Sequence, residues 1–239
     1  MNTLIRLIKG ELTRLLKYKI LPVSLATSVL WIGLFLSVSA REAWDLASLV
    51  IFVDVAAMSV LLLGASHHLE KQDGTIRTMM VMPVSLVQII TAKTVASMVL
   101  AIESAAITSL ALYIIHKITL NYAMLLLFVV ISCAAHAAIG FVLSLNSRDF
   151  NSMLGLLMAY MFIFMIPSLL FAFKVFDAKY EWLIMISPSH AANHLITSAV
   201  TGEYKPGMII VGCLYLLILA GILFRFVVCP KFKDNAVRG

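Results

Sequence analysis

Six long apolar segments divide the chain, and they constrain its fold more than any other feature. The segments lie near residues 20–39, 46–66, 86–115, 122–145, 152–173 and 207–229. A helix needs about 20 mostly apolar residues to cross the hydrocarbon core of a bilayer. Hydrophobic residues make up 62% of the chain and charged residues only 13%, a balance typical of membrane proteins. The sequence therefore predicts a polytopic membrane protein.

The segments lack the short apolar and polar alternation that a membrane β-barrel requires. In lipid, backbone groups must then find their hydrogen-bond partners within helices. We expect an all-α fold with six transmembrane helices, forming a single domain over residues 1–239 with both termini on one side of the membrane.

Lysine and arginine predict the orientation, because cytoplasmic flanks retain positive charge. Thirteen of these residues fall on the side that holds the termini: Arg6, Lys9, Arg14, Lys17, Lys19, Lys71, Arg77, Lys93, Arg148, Arg225, Lys231, Lys233 and Arg238. Five fall on the other side: Arg41, Lys117, Lys174, Lys179 and Lys205. Both termini are therefore predicted to be cytoplasmic. The net charge of +6 then reflects topology and attraction to anionic lipid, with no need for a nucleic-acid partner.

The residues before the first apolar segment predict an amphipathic helix over 2–19. Leucine and isoleucine recur at helical spacing, while arginine and lysine occupy the other side. Such a helix lies in the membrane interface and exposes its basic face. We expect it to anchor the chain or to form part of a docking platform for a cytoplasmic subunit.

A charged interruption, EKQDGTIRTMMVMPVSLVQIITAKT, runs from Glu70 to Thr94 between the second and third apolar segments. Asp73 and Thr75 are suited to capping a short helix. Ile76, Met79 and Met80 would share one face of that helix, and methionines form adaptable contact surfaces. An apolar face exposed to the cytosol favours a protein partner over a simple turn.

Pro83 ends this short helix, since proline cannot continue it and biases Met82 away from helical geometry. Ser85 and Gln88 then have the spacing of a capping box for the next helix. The pattern predicts a stiff elbow between the second and third spans.

This interruption resembles the corresponding loop of ABC-2 type permeases, the membrane subunits of a class of ATP-binding-cassette exporters. The matching residues are Glu70, Gly74, Thr75, Pro83, Ser85 and Lys93. A second similarity is Ile-Ser-Pro-Ser-His at 186–190 with His-Leu-Ile at 194–196, which resembles the short external helices of that family. The order of elements agrees over nearly the whole chain, and most resembles compact bacterial members that export drugs or amphipathic peptides.

The resemblance implies an amphipathic N-terminal helix, a cytoplasmic coupling helix at 70–83, re-entrant or short external helices at 177–204, and a dimer of such subunits in the bacterial cytoplasmic membrane. The residues implied in coupling to the ATPase are Glu70, Asp73, Gly74, Thr75, Ile76, Arg77, Met79, Met80 and Pro83. The turn at 146–151 is a second expected contact, through Arg148 and Asp149.

No GxxxxGK[ST] phosphate-binding motif occurs in the sequence. We therefore expect no cofactor in this chain, and ATP and Mg²⁺ to be bound by a separate ATPase subunit. A homodimer and a heterodimer with a similar permease both remain open, as do the cargo and the direction of transport.

Asp54 and Glu103 lie inside predicted spans, where an ionisable side chain costs on the order of 2.5 to 3.5 kcal/mol on insertion scales. They could line a wet pathway for cationic or amphipathic cargo. The alternative is hydrogen bonding to neighbours such as Ser59, Ser104 or Thr108, which would stabilise helix packing.

The histidines do not predict a metal site. His190 and His194 share a helical face, but no glutamate lies between them, so the HExxH pattern is not present. We interpret them as part of a polar external helix facing headgroups or the exit. Two alternatives to the exporter remain: an intramembrane enzyme using Asp54, Glu103 or His136, and an ion-coupled carrier.

Overall fold

The computed structural model describes residues 3–81, 83–173 and 175–238. It describes their side chains with the exception of Leu62, Arg77, Met80, Val81, Ala172, Ala178 and 234–238. All regular structure within these ranges is helical, which confirms the all-α prediction.

Six helices are long and apolar enough to cross a membrane, as predicted. They span Ile20–Ser37 (α2), Ala40–Gln72 (α3), Leu86–His116 (α5), Tyr122–Asn146 (α6), Phe150–Phe171 and Pro206–Lys233. The fifth span contains α7 (Phe150–Tyr160) and α8 (Ile166–Ala172), and the sixth runs from α11 (Pro206–Ile222) into α12 (Cys229–Arg238). The shorter helices are α1 (Thr3–Lys17), α4 (Thr75–Val81), α9 (Glu181–Ile184) and α10 (Pro188–Thr201). Because successive spans run in opposite directions, α1, α4 and α12 gather at one end of the bundle. We call this the termini end, and the other the far end.

The second span is longer than the predicted 46–66. It begins at Ala40, where Ser39 and Glu42 form a capping box, and it continues to Gln72. Gly74 follows with a positive φ of 66°, a conformation that suits glycine and ends the helix. Glu70 is therefore part of the spanning helix, and the connection to α5 is confined to residues 73–85.

The fifth and sixth spans each contain a π-helical stretch, at Met161–Met165 and Leu223–Val228, which the sequence pattern did not predict. A π turn widens the helix and leaves carbonyl groups without their usual α-helical partner. The hydroxyl of Ser187 donates to the carbonyl oxygen of Phe164 at 2.6 Å. This hydrogen bond links the π-helical stretch of the fifth span to the residue that precedes α10.

Helix α10 runs inside the bundle, so the expectation of a polar helix facing headgroups is wrong. Its first turn reaches the middle of the spans, where Ser189 contacts Tyr160 at 2.9 Å and Tyr160 contacts His136 at 3.2 Å. Its last turn returns to the far end, where the carbonyl of Ala199 accepts from the backbone N–H of Asn121. The family resemblance implied a re-entrant or short external element in this region, and that assignment stays a prediction.

Helices α3 and α6 pack directly against each other at the centre of the bundle. A Cβ atom added at Gly140 of α6 would lie 3.0 Å from the Cα of Val60 in α3. A side chain here would press on the backbone of α3, so the glycine allows the two helices to approach closely.

Candidate coupling site

Helix α1 packs on the start of α5, at the termini end. It buries Glu11 and Leu15, and Leu15 packs with Ile20, Ala96 and Leu100. Most of its remaining polar residues face outward, as its amphipathic sequence predicts. The helix is therefore joined to the third span by both apolar and charged contacts.

Four charged side chains from α1, α3 and α5 meet in one ion cluster. The Lys93 ammonium lies 2.5 Å from Glu70 Oε1 and 3.1 Å from Glu11 Oε2. The Arg14 guanidinium lies 2.7 Å from Glu11 Oε1 and 3.4 Å from Glu70 Oε1. Two carboxylates and two cations balance, so the cluster carries no net formal charge.

The cluster is withdrawn from solvent. Glu70 is 0% exposed, Lys93 5% and Glu11 6%, while the side chain of Arg14 is about one quarter exposed. Burial raises the pKa of Glu11, and nearby Lys93 opposes that rise. Attraction between buried charges is much less screened than on a surface, but each charge depends on its partners, since an unpaired one is costly. The four residues therefore hold α1, α3 and α5 in one relative position.

Glu70 was predicted within the loop that meets the ATPase. In this structure its carboxylate faces Lys93 and Arg14 and also lies 3.4 Å from the Ser66 hydroxyl. It is not part of the molecular surface, so any contribution to coupling passes through the ion cluster.

The prediction of an apolar α4 face exposed to the cytosol is wrong for the two side chains described. Ile76 is 7% exposed and packs with Phe141 of α6 and Phe232 of α12. Met79 is 2% exposed, with its sulfur 3.9 Å from Arg14 Nη1. Arg77 and Met80 lie in α4, but their side chains are outside the described residues. The chain itself covers this face, between α1 and α12.

The outward surface of the elbow is polar. Its exposed residues are Lys71, Gln72, Asp73, Gly74, Thr78, Pro83 and Ser85. Tyr18, which follows α1, donates a hydrogen bond to Asp73 Oδ2 at 2.8 Å. Burial and this hydrogen bond raise the pKa of Tyr18. The surface that a partner could meet thus includes the elbow and the end of α1.

The capping box predicted at the start of α5 is confirmed. The hydroxyl of Ser85 accepts from the backbone N–H of Gln88, and the side chain of Gln88 accepts from the backbone N–H of Ser85. These bonds fix the direction in which the elbow enters the third span.

The turn between α6 and α7 lies beside this site. Arg148 and Asp149 are both exposed, and Asp149 caps α7 by accepting from the backbone N–H of Ser152 at 2.7 Å. His68 of α3 contacts the hydroxyl of Ser147 at 2.9 Å. The turn is thus held against the same end of α3 that carries Glu70, and its expected contact with a partner stays a prediction.

The two acids inside the spans are separate from the ion cluster. Asp54 is 1% exposed and accepts a hydrogen bond from Ser104 of α5. Glu103 accepts from Ser24 of α2 at 3.0 Å. Both acids therefore have partners on neighbouring helices, as the packing alternative predicts, and their role on a cargo pathway stays a prediction.

Sequence reasoning missed the pairing of Glu11 and Lys93 with Glu70. The signal was present, since Glu11 is the single acid in an otherwise basic helix and Lys93 lies within the predicted third span. Ionisable groups at such positions require partners. Among the residues that the structure describes, no three His, Cys, Asp or Glu side chains converge to hold a metal ion.

The sequence profile of the ABC-2 family transporter proteins matches residues 45–228, which is well over half of the chain. No curated protein matches the sequence of this chain. The matched range covers all or most of five of the six spans, together with the elbow and α10. Taken with the helical bundle and its membrane-spanning lengths, this match shows that the chain belongs to the ABC-2 transporter family and is a membrane component of an ABC transporter.

Proposed function

We propose that this chain is the permease subunit of a bacterial exporter, in which a separate ATPase docks on the elbow at the termini end. The permease acts as a homodimer or with a similar chain, and moves amphipathic or hydrophobic cargo out of the cell. The termini end then faces the cytoplasm, as the distribution of lysine and arginine predicts.

The ion cluster of Glu11, Arg14, Glu70 and Lys93 carries this proposal. It lies directly behind the polar surface of the elbow, and it joins the ends of α3 and α5 to α1. A push on residues 73–83 therefore reaches two spans and the interfacial helix together. Packed and hydrogen-bonded elements transmit such a displacement because they have discrete arrangements rather than deforming continuously.

In this mechanism ATP supplies the energy in the partner, and the permease performs no covalent step. Closure of the ATPase subunits changes the relative populations of inward-open and outward-open states of the permease. The partner favours one state only through contacts that differ between the two states. The polar elbow and the end of α1 provide those contacts.

Reconstitution with its ATPase subunit tests the coupling role through Glu70→Gln. This change retains the shape of the side chain and removes the charge that pairs with Lys93. We expect the complex to assemble while cargo-stimulated ATP hydrolysis and transport each fall by roughly tenfold, the size of one charge-assisted hydrogen bond. Glu203→Gln, the same change at an exposed glutamate of the far end, is the matched control and should retain both activities.

Wild-type transport and ATP hydrolysis in the Glu70→Gln complex would contradict the coupling role of the cluster. If the Glu70→Gln chain failed to assemble with the ATPase while the control chain assembled, the cluster would instead have a role in docking. Measuring assembly by size-exclusion chromatography separates these two results.

Cysteine labelling of intact cells tests the orientation independently. Gln72 at the termini end and Glu203 at the far end are both exposed. In a background in which Cys133, Cys213 and Cys229 are replaced, a membrane-impermeant maleimide should label Glu203→Cys and leave Gln72→Cys unlabelled. Labelling of Gln72→Cys from outside would place the elbow in the wrong compartment for an ATPase and overturn the proposal.

A further inference from the structure

A cavity of about 570 Å³ lies at the far end, between the first turns of α3, the end of α8, and the helices α9 and α10. Trp44, Asp45 and Phe171 form part of its wall, together with three polar residues of α10, namely His190, Asn193 and His194. It is remote from the coupling site, which lies at the termini end.

Three polar atoms of the α10 residues have no hydrogen-bond partner within the described part of the chain. They are His190 Nε2, Asn193 Oδ1 and His194 Nε2, and each is buried. His190 is 2% exposed and Asn193 is 9% exposed. Leaving a buried polar group unpaired costs about 1–3 kcal/mol, so three on one cavity wall indicate a partner from outside the chain.

The contacts of His194 determine what its free nitrogen can bind. Its Nδ1 lies 3.2 Å from Glu181 Oε1, and a carboxylate can only accept, so Nδ1 carries the hydrogen. Burial lowers the pKa of His194, which favours its neutral ring. His194 Nε2 is therefore a lone-pair acceptor, like the amide oxygen of Asn193.

The remaining wall suits a cation. Asp45 adds a carboxylate, and Trp44 and Phe171 add apolar aromatic surface. Lys205 is paired with Glu181 at 2.9 Å, which offsets its positive charge. Acceptors, a carboxylate and aromatic rings together match a ligand with several N–H donors and a positive charge, and they disfavour an anion.

We propose that this cavity binds the primary ammonium group of an amphiphilic molecule, with Asn193 and His194 accepting hydrogen bonds from it. The apolar part of the molecule then lies along Trp44 and Phe171. Such an ammonium group occurs both in the headgroup of an amine-bearing lipid and in a soluble alkylamine or peptide. Binding needs neither ATP nor an ATPase, so this proposal and the coupling role of Glu70 stand or fall separately.

Titration calorimetry on the purified chain tests the proposal, in nanodiscs of phosphatidylcholine, whose headgroup has no N–H donor. The probes are n-hexylammonium, hexyltrimethylammonium and hexanol, which share one apolar tail. We expect hexylammonium to bind at least about tenfold more tightly than the other two, since only it combines charge with N–H donors. Equal binding of all three would overturn the proposal.

Variants assign the binding to this cavity. Asn193→Leu keeps the side-chain size and removes the acceptor, and it should weaken hexylammonium binding about tenfold or more. Asn151→Leu, at an exposed position of the termini end, is the matched control and should bind like the wild type. Asp45 is exposed, so Asp45→Asn leaves the core intact and should weaken binding several-fold.

If Asp45→Asn and a folded Asn193→Leu both bind like the control, the cavity is not the ammonium site. Adding phosphatidylethanolamine to the nanodiscs identifies the source of the ligand. A weaker apparent affinity for hexylammonium supports the site with the lipid headgroup as its occupant. An unchanged affinity supports the site with a soluble amine or peptide.

Discussion

The two ends of this bundle handle buried polar groups in opposite ways. At the termini end, four charged side chains neutralise one another in the ion cluster. At the far end, His190, Asn193 and His194 each leave a buried atom without a partner beside a cavity. A charge-balanced cluster fixes the positions of helices, whereas neutral polar groups beside a cavity provide affinity for something else. The first arrangement suits transmission of force, and the second suits recognition.

The largest expected effect comes from breaking the charge balance of the ion cluster. Lys93→Met leaves Glu11 and Glu70 buried with only Arg14 to compensate them, which should destabilise the fold by about 3–5 kcal/mol. Thermal unfolding in detergent measures this loss. The double variant Glu70→Met with Lys93→Met should recover most of the stability, because the remaining pair of Glu11 and Arg14 is balanced.

Lys71→Met is the control for this prediction, since Lys71 is an exposed cation at the end of α3, also at the termini end of the bundle. It should unfold within about 0.5 kcal/mol of the wild type. An equal unfolding midpoint for Lys93→Met and Lys71→Met would show that the ion cluster contributes nothing to the stability of the fold.

The next effect concerns the packing that joins the two ends. A methyl group at Gly140 would lie 3.0 Å from the backbone of Val60, so Gly140→Ala should destabilise the bundle by about 1–3 kcal/mol. Nothing lies within 4 Å of the corresponding position at Gly155, so Gly155→Ala should be neutral or slightly stabilising. Unfolding in detergent compares the two, and a neutral Gly140→Ala would refute the close crossing of α3 and α6.

A third prediction uses a capping box that occurs at both ends. Ser85 caps α5 beside the coupling site, and Ser39 caps α3 at the far end. Ser85→Ala and Ser39→Ala should each cost about 1 kcal/mol of stability. Only Ser85→Ala should also lower cargo-stimulated ATP hydrolysis, because only that cap orients the elbow. Equal hydrolysis by the two variants would weaken the functional contrast between the ends.

The sequence predicts features that depend on neighbours in the chain. The six spans follow from apolar length, and the cap at Ser85 follows from its spacing to Gln88. Long-range pairing is different, because Glu11 and Lys93 are 82 positions apart and nothing local selects Glu70 as their shared partner. An ionisable residue in an apolar environment carries a free-energy cost, so the sequence indicates that it needs a partner. Only the packing of the helices shows which residue that partner is.

The cavity illustrates the same limit on the far end. The spacing of His190 and His194 correctly predicts one helical face, yet it does not show that this face turns into the bundle. The apolar residues of α10, including Leu195 and Ile196 at 0% exposure, bury the helix from its other sides. The prediction of an exposed apolar face on α4 was wrong because a distant part of the chain covers it: Phe232 of α12 packs with Ile76.

Helix α3 has a further consequence, since its 33 residues extend about 50 Å without a break. Near one tip it carries Glu70, and near the other it carries Trp44 and Asp45. A tilt of only about 5° around its midpoint would displace both tips by roughly 2 Å in opposite directions, given that length. Tilting of this one rigid helix would then change the ammonium-binding cavity and the ion cluster at the same time, without a series of intermediate contacts between them.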